Sequence, residues 1–164
     1  MKRIYISDTN IWIDFRHAGL LSVLFRLPFT LCCTDFVLFE LNDFDHEALI
    51  EQGLQIEVLD SALISRLSEL NIEQNNSSLA DVSCYLLAKD TGRPLLTGDG
   101  QLRRQAQQDG LQVYGALWLL DRLVEHLIIS TRQAANGLDA MLASGARLPQ
   151  FECNARLAKW RNKP

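Results

Sequence analysis

A chain of 164 residues, 48% apolar and 22% charged, fits one globular domain and lies far from the disordered class. Its formal net charge of −4 argues against generic, charge-driven nucleic-acid binding, although a cluster of metal-binding carboxylates would itself contribute to such a total. The four cysteines (Cys32, Cys33, Cys84 and Cys153) show no CxxC pair and no Cys/His zinc spacing, which points to reduced, buried thiols.

No apolar run reaches the roughly 18 residues that a membrane span needs, and the stretch 4–7 is too short for a signal peptide, so a cytoplasmic protein is expected. Residues 2–7 (KRIYIS) predict a short buried strand ended by Asp8. Residues 20–27 have helical spacing and stop before Pro28, because the residue ahead of a proline disfavours helix. Residues 29–33 predict a second strand, followed by a helix over 36–41 with Thr34 or Asp35 as its cap. A short helix over 45–52 is closed by Gly53, and 54–59 alternates as a third strand. Leu63, Ile64, Leu67 and Leu70 give the helical period of 61–73. The break Asn75-Asn76-Ser77-Ser78 supplies cap chemistry for a strongly apolar helix over 79–89, with Gly92 past its end. A fourth strand at 94–97, a turn at 98–100, a helix over 102–108 and a fifth strand at 111–114 come next. Helices over 117–128 and 132–142 follow, and the last fifteen or so residues read as a loosely held arm.

Strands that alternate with helices imply an α/β fold whose parallel sheet is covered on both faces. All strands of such a sheet end along one edge, where ligands bind. Asp8 directly follows the first strand and Asp99 follows the fourth, so they share that edge. Asp81 lies in the opening turn of a helix, a place also explained by the helix dipole at about 0.3–1 kcal/mol. Glu40 sits among apolar neighbours, which a solvent-facing helix position equally explains. Together, four acids on one edge would repel unless cations neutralised them. Hard oxygen ligands suit Mg²⁺ or Mn²⁺, ions that activate water and stabilise charge on a phosphoryl group.

Other features carry less chemistry. His17, His46 and His126 lack metal spacing, and no P-loop, Gly-x-Gly-x-x-Gly or Gly-x-Ser-x-Gly motif is present. Trp12, Trp118 and Trp160 read as packing residues. Asp14, Asp35, Asp43 and Asp45 are expected to be mostly solvated, with Asp35 the foremost cap candidate among them.

Four segments, Ser7-Asp8-Thr9-Asn10, the stretch 34–41 ending in Phe39-Glu40-Leu41, Ser78-Leu79-Ala80-Asp81-Val82 and Leu96-Thr97-Gly98-Asp99-Gly100, resemble in order the successive acidic motifs of PIN domains. The resemblance covers roughly residues 2–130. It implies a three-layer α/β/α sandwich around a parallel sheet of about five strands, with 1–130 as the nuclease domain and 131–164 as a C-terminal helical extension and tail of the same domain. It further implies a divalent-metal-dependent endoribonuclease acting on single-stranded RNA, with Asp8, Glu40, Asp81 and Asp99 as catalytic and Mg²⁺- or Mn²⁺-binding residues. Thr9 and Asn10 would hydrogen-bond a ligating carboxylate or the scissile phosphate. Thr97 would orient Asp99, although turn and N-cap chemistry explains Thr9, Asn10 and Thr97 equally, and Arg103 and Arg104 would contact flanking phosphates.

The size is similar to that of VapC-type toxins of toxin–antitoxin pairs, which implies an antitoxin protein as partner and a homodimer. Apolar faces at 20–27 and 138–142 point to the same self-association. The region after Gly115 is similar to a PIN-like subgroup often left without assigned function. Two other readings stand beside the nuclease. One is a catalytically silent PIN module that binds RNA or a protein. The other is a phosphatase using Asp8 as nucleophile, which the Asn10 in place of a second acid disfavours. Asp8→Asn removes a charge from the cluster at constant size, so that variant is expected to fold at least as stably as the parent.

Overall fold

The structure, a computed structural model, describes residues 2–73 and 78–162. Each short strand leads into helical chain, and such crossovers are what parallel pairing requires. The strands β1 (Ile4–Ser7), β2 (Thr30–Thr34), β3 (Gln55–Glu57), β4 (Leu95–Leu96) and β5 (Val113–Tyr114) form one parallel sheet. Their order is β3-β2-β1-β4-β5, with Ile6 beside both Cys32 and Leu95 at the centre. The chain builds outward from β1 to β3, then returns to add β4 and β5 on the other side. The switch point therefore falls between β1 and β4, and ligands of open α/β sheets bind outside the carboxyl ends at such a point.

Helix α1 (Thr9–His17) leaves β1 at once; no helical period announces it, and its Asp8 cap starts it. Residues 20–27 form only a 3-10 turn, Ser22–Arg26, because Gly19 at φ +70° and the proline-restricted Leu27 leave room for little more. The cap of α2 (Asp35–Glu40) is Thr34, whose hydroxyl accepts from the Val37 N–H at 3.3 Å, so Asp35 is a first-turn residue and not the cap. Asp45 caps α3 (His46–Gln52) and Gly53 closes it at φ +127°. After α4 (Ser61–Glu73), Asn75, Asn76 and Ser77 of the expected break lie outside the described residues. Ser78 caps α5 (Leu79–Thr91), which lies against β1, β2 and β4 and is the most buried helix. Helices α2, α4 and α6 (Gly100–Gln108) pack beside α5, while α1, α7 (Ala116–Glu125) and α8 (Thr131–Ala143) pack on one another as the second helical layer.

Two expectations need correction. The last residues are not a loose arm: Gln150–Arg161 is a helix, α9, packed on α8. Cys153, Leu157 and Trp160 make an inward stripe at helical spacing, which the basic residues around it obscure in the sequence. Arg156 clamps Asp121 of α7 at 2.7 Å, and Arg161 reaches Asp139 of α8. Trp160→Ala should therefore cost about 3 kcal/mol, read as a fall in the urea midpoint. A loosely held arm would shift it by less than about 0.5 kcal/mol.

The apolar faces at 20–27 and 138–142 are also filled within the chain. Leu20, Leu24, Leu27, Leu138 and Met141 are all buried. A Cβ at position 137 would fall 2.7 Å from Leu20, so Gly137 is what lets α8 close on that segment. These faces thus give no reason for a second copy. The four cysteines are free and buried. Among the described residues no helix is long and apolar enough to cross a membrane.

Candidate active site

Asp8 and Asp99 stand on either side of the switch point. The Asp8 N–H donates to the Leu96 carbonyl at 3.0 Å, which ties the end of β1 to β4. One Asp8 carboxylate oxygen accepts the capping hydrogen bond from the Ile11 N–H at 3.1 Å. The other accepts from the Thr97 hydroxyl at 2.6 Å and the Gly98 N–H at 3.0 Å. Thr97 Oγ1 also accepts from the Asp99 N–H at 3.0 Å. Thr97 thus holds Asp99 by its backbone and Asp8 by its carboxylate, a link between two acids far apart in sequence. Asp99 Oδ1 in turn caps α6, accepting from the Gln101 and Leu102 N–H groups at 2.9 and 3.1 Å. Asp8 is fully buried, and that burial pushes its pKa up; the Asp99 charge adds to this, against the lowering effect of its three hydrogen bonds.

Asp81 reaches the same edge for a topological reason. Helix α5 precedes the parallel strand β4, so it runs against the strand direction and starts at the carboxyl edge. The Ser78 hydroxyl accepts from the Asp81 N–H at 3.0 Å and fixes this first turn. The Asp81 side chain is 7% exposed, and its Oδ1 is buried with no hydrogen-bond partner. Burial, then the Asp8 charge and more weakly those of Asp99 and Glu40, push its pKa to about 7 against the lowering effect of a hydrogen bond with the Ser78 side chain. Glu40 is the last residue of α2, and Thr9 draws it in by donating its hydroxyl to Oε1 at 2.7 Å. Thr9, Asn10, Ile13, Glu40, Ser78 and Asp81 line an open pocket of about 280 Å³.

The two arginines separate. Arg103 is half-buried, and its Nη2 donates to the Thr97 carbonyl at 3.1 Å, so it buttresses the Thr97 loop. It passes where a Cβ on Gly115 would lie, at 2.8 Å, which explains a glycine there. Arg104 is exposed on α6. Trp12 is wholly buried and stacked on Phe25, a packing residue. Asp43 is solvated and pairs with Arg16 at 3.0 Å.

Asp14 departs from the expectation of a solvated acid. It is half-buried, and burial followed by the Asp8 charge pushes its pKa to about 6. One helical turn beyond Asn10 on α1, it carries a spacing signal that the sequence reading passed over. Ser78 is the other unassigned contributor, visible in the sequence only as a cap.

Among the described residues no three acidic, histidine or cysteine side chains form a ready-made metal cage. Asp8 and Asp99 direct oxygens to helix N–H groups instead. Such a donor set suits Mg²⁺ or Mn²⁺ better than Ca²⁺, since Mg²⁺ keeps several waters and takes one or two carboxylates plus substrate oxygens. The buried, unpartnered Asp81 oxygen is where a cation has most to offset. A larger cleft of about 600 Å³ lies at the far edge, between the end of α7, the start of α8 and α9. Its acids are already neutralised, Asp121 by Arg156 at 2.7 Å and Glu125 by Arg122 at 2.8 Å.

The fold and the acidic edge together define a three-layer α/β/α protein with a pocket at that edge to which Glu40 and Asp81, but not Asp8 or Asp99, contribute lining. The chain belongs to the PIN-domain family: a family model described as a PIN domain matches residues 4–162. Members are generally nucleases that use divalent metal ions. Among solved structures, it is similar to a PilT N-terminus domain protein from the hyperthermophilic archaeon Sulfolobus solfataricus P2, with a TM-score of 0.50 and 10% identity. That match covers 75% of this chain and 95% of the other, and at such identity it shows the fold alone. No curated protein matches the sequence.

Proposed function

We propose that this chain is a divalent-metal-dependent endoribonuclease that hydrolyses single-stranded RNA at the edge shared by Asp8, Glu40, Asp81 and Asp99. One observation carries the reading: the buried Asp81 oxygen without a partner, placed among three further acids. A buried carboxylate with one oxygen left unpartnered is costly, and a cation offsets it. Asp8, Asp81 and Asp99 would hold Mg²⁺ or Mn²⁺, and Glu40 a second ion or the attacking water. The ion would supply Lewis acidity toward the phosphate. Thr9 fixes Glu40 so that its carboxylate can take a proton from water. Thr97 keeps Asp8 and Asp99 in register with one hydroxyl. Arg104 faces solvent near the crevice, where it would contact a flanking phosphate. A role as the toxin of a toxin–antitoxin pair follows from the family likeness and expects a small antitoxin gene beside this one.

The carboxylate oxygens of Asp8 and Asp99 that already accept from N–H groups favour one rival, a silent module that binds RNA without cutting it. Both readings are tested by incubating the protein with single-stranded RNA in millimolar Mn²⁺. Cleavage that stops in excess EDTA is the expected result. RNA binding without cleavage, and no Mn²⁺ heat in calorimetry, would select the silent module.

A further inference from the structure

Single exposed apolar residues are ordinary, but two of them stand next in sequence to residues that line the acid pocket. Phe39 is 84% exposed and directly precedes Glu40. Leu79 is 41% exposed, follows Ser78 and stands two residues before Asp81. The packing of α2 does not call for the Phe39 ring, because Val37 is buried and Phe36 and Leu38 pack on the core from the same helix. A ring in water beside phosphate-handling carboxylates is what single-stranded RNA recognition uses, since unpaired bases splay out and stack on aromatic faces.

Charge leads to the same place. Phosphate contacts by Lys and Arg usually dominate nucleic-acid affinity, yet this chain carries a net −4. Of the nearby cations, Arg103 is committed to Thr97 and Arg16 to Asp43. Arg104 is then the remaining arginine of α6 for the backbone, and stacking, the sequence-tolerant contact, supplies affinity beyond it.

We infer that Phe39 is a substrate-positioning residue that stacks on a nucleobase next to the scissile phosphate. The inference rests on the ribonuclease reading and names the subsite which that reading leaves open. The test measures kcat/KM in Mn²⁺ for the full chain on a short single-stranded RNA, and on the same RNA with an abasic nucleotide at each position in turn. Phe39→Ala should lower kcat/KM about five-fold or more, with an unchanged urea midpoint. Phe39→Trp should restore it, and Phe39→Leu, apolar but without a ring face, should not. One abasic position should cost the parent the same factor and cost Phe39→Ala nothing further. Additive losses at every position, or full activity in Phe39→Leu, would overturn the inference while leaving the nuclease intact. A parent that cuts no RNA would instead overturn the ribonuclease reading and the inference with it.

Discussion

Asp81→Asn should silence metal-dependent RNA cleavage and, in the same protein, raise stability above pH 7. The loss of activity should be about 100-fold or more, because even groups standing behind a metal ligand cost 10–100-fold. The gain in stability follows from the pKa near 7, against an ordinary value of 3.8. A raised folded pKa means that the folded state binds the proton more tightly than the unfolded chain. That stabilisation is complete below about pH 4 and is lost as pH climbs to about 7. Asparagine carries no such dependence. At about 1.4 kcal/mol per pH unit the gap sets an upper bound of roughly 4 kcal/mol. Urea unfolding in EDTA at pH 5 and pH 8 measures it, and Asp8, which titrates in both proteins, enters the difference only through its charge interaction with Asp81. Saturating Mn²⁺ should narrow the difference at pH 8 by stabilising the parent alone. A variant that gains nothing between pH 5 and pH 8 relative to the parent would remove the strained Asp81 anion and the main argument for a cation there.

Asp8→Asn should lose cleavage to a similar extent yet become less stable, by about 1–2 kcal/mol. Isosteric removal of a charge predicts the opposite from the sequence alone. The difference is that both Asp8 oxygens accept hydrogen bonds, one from Ile11 and the other from Thr97 and Gly98. An amide offers a single acceptor oxygen. Its NH₂ group must face either the Ile11 N–H or the Gly98 N–H, which leaves a buried donor unpaired at about 1–3 kcal/mol. Relief of the buried charge offsets part of that loss. A urea midpoint for Asp8→Asn above that of the parent at pH 7 would show that charge repulsion outweighs the cap. The two asparagine variants should therefore share a kinetic defect and differ in the sign of their stability change.

Local rules made much of this protein legible. The cap Ser78 and the closing Gly53 and Gly92 act over three or four residues, and their signals survive in a bare sequence. The alternation of strand and helix, with an acid after β1 and another after β4, placed Asp8 and Asp99 on one edge because parallel strands all end on the same side. The ordered acids also sufficed to suggest the family.

Tertiary structure decided the rest. The strand order and its switch point depend on which chains lie side by side. A hydroxyl joins Asp8 to Thr97 across 89 residues, and another joins Thr9 to Glu40 across 31. Arg103 reads as a phosphate ligand until the Thr97 carbonyl comes within 3.1 Å of it. Helix α9 has a stripe that its basic residues obscure, and a stripe becomes a packed face only where α8 is present to receive it. The raised pKa values of Asp14 and Asp81 are likewise set by burial and by the neighbouring Asp8 charge. Periodicity and capping are properties of adjacent residues, whereas burial and proximity belong to the packed chain, and it is burial and proximity that distinguish a site acid from a surface acid.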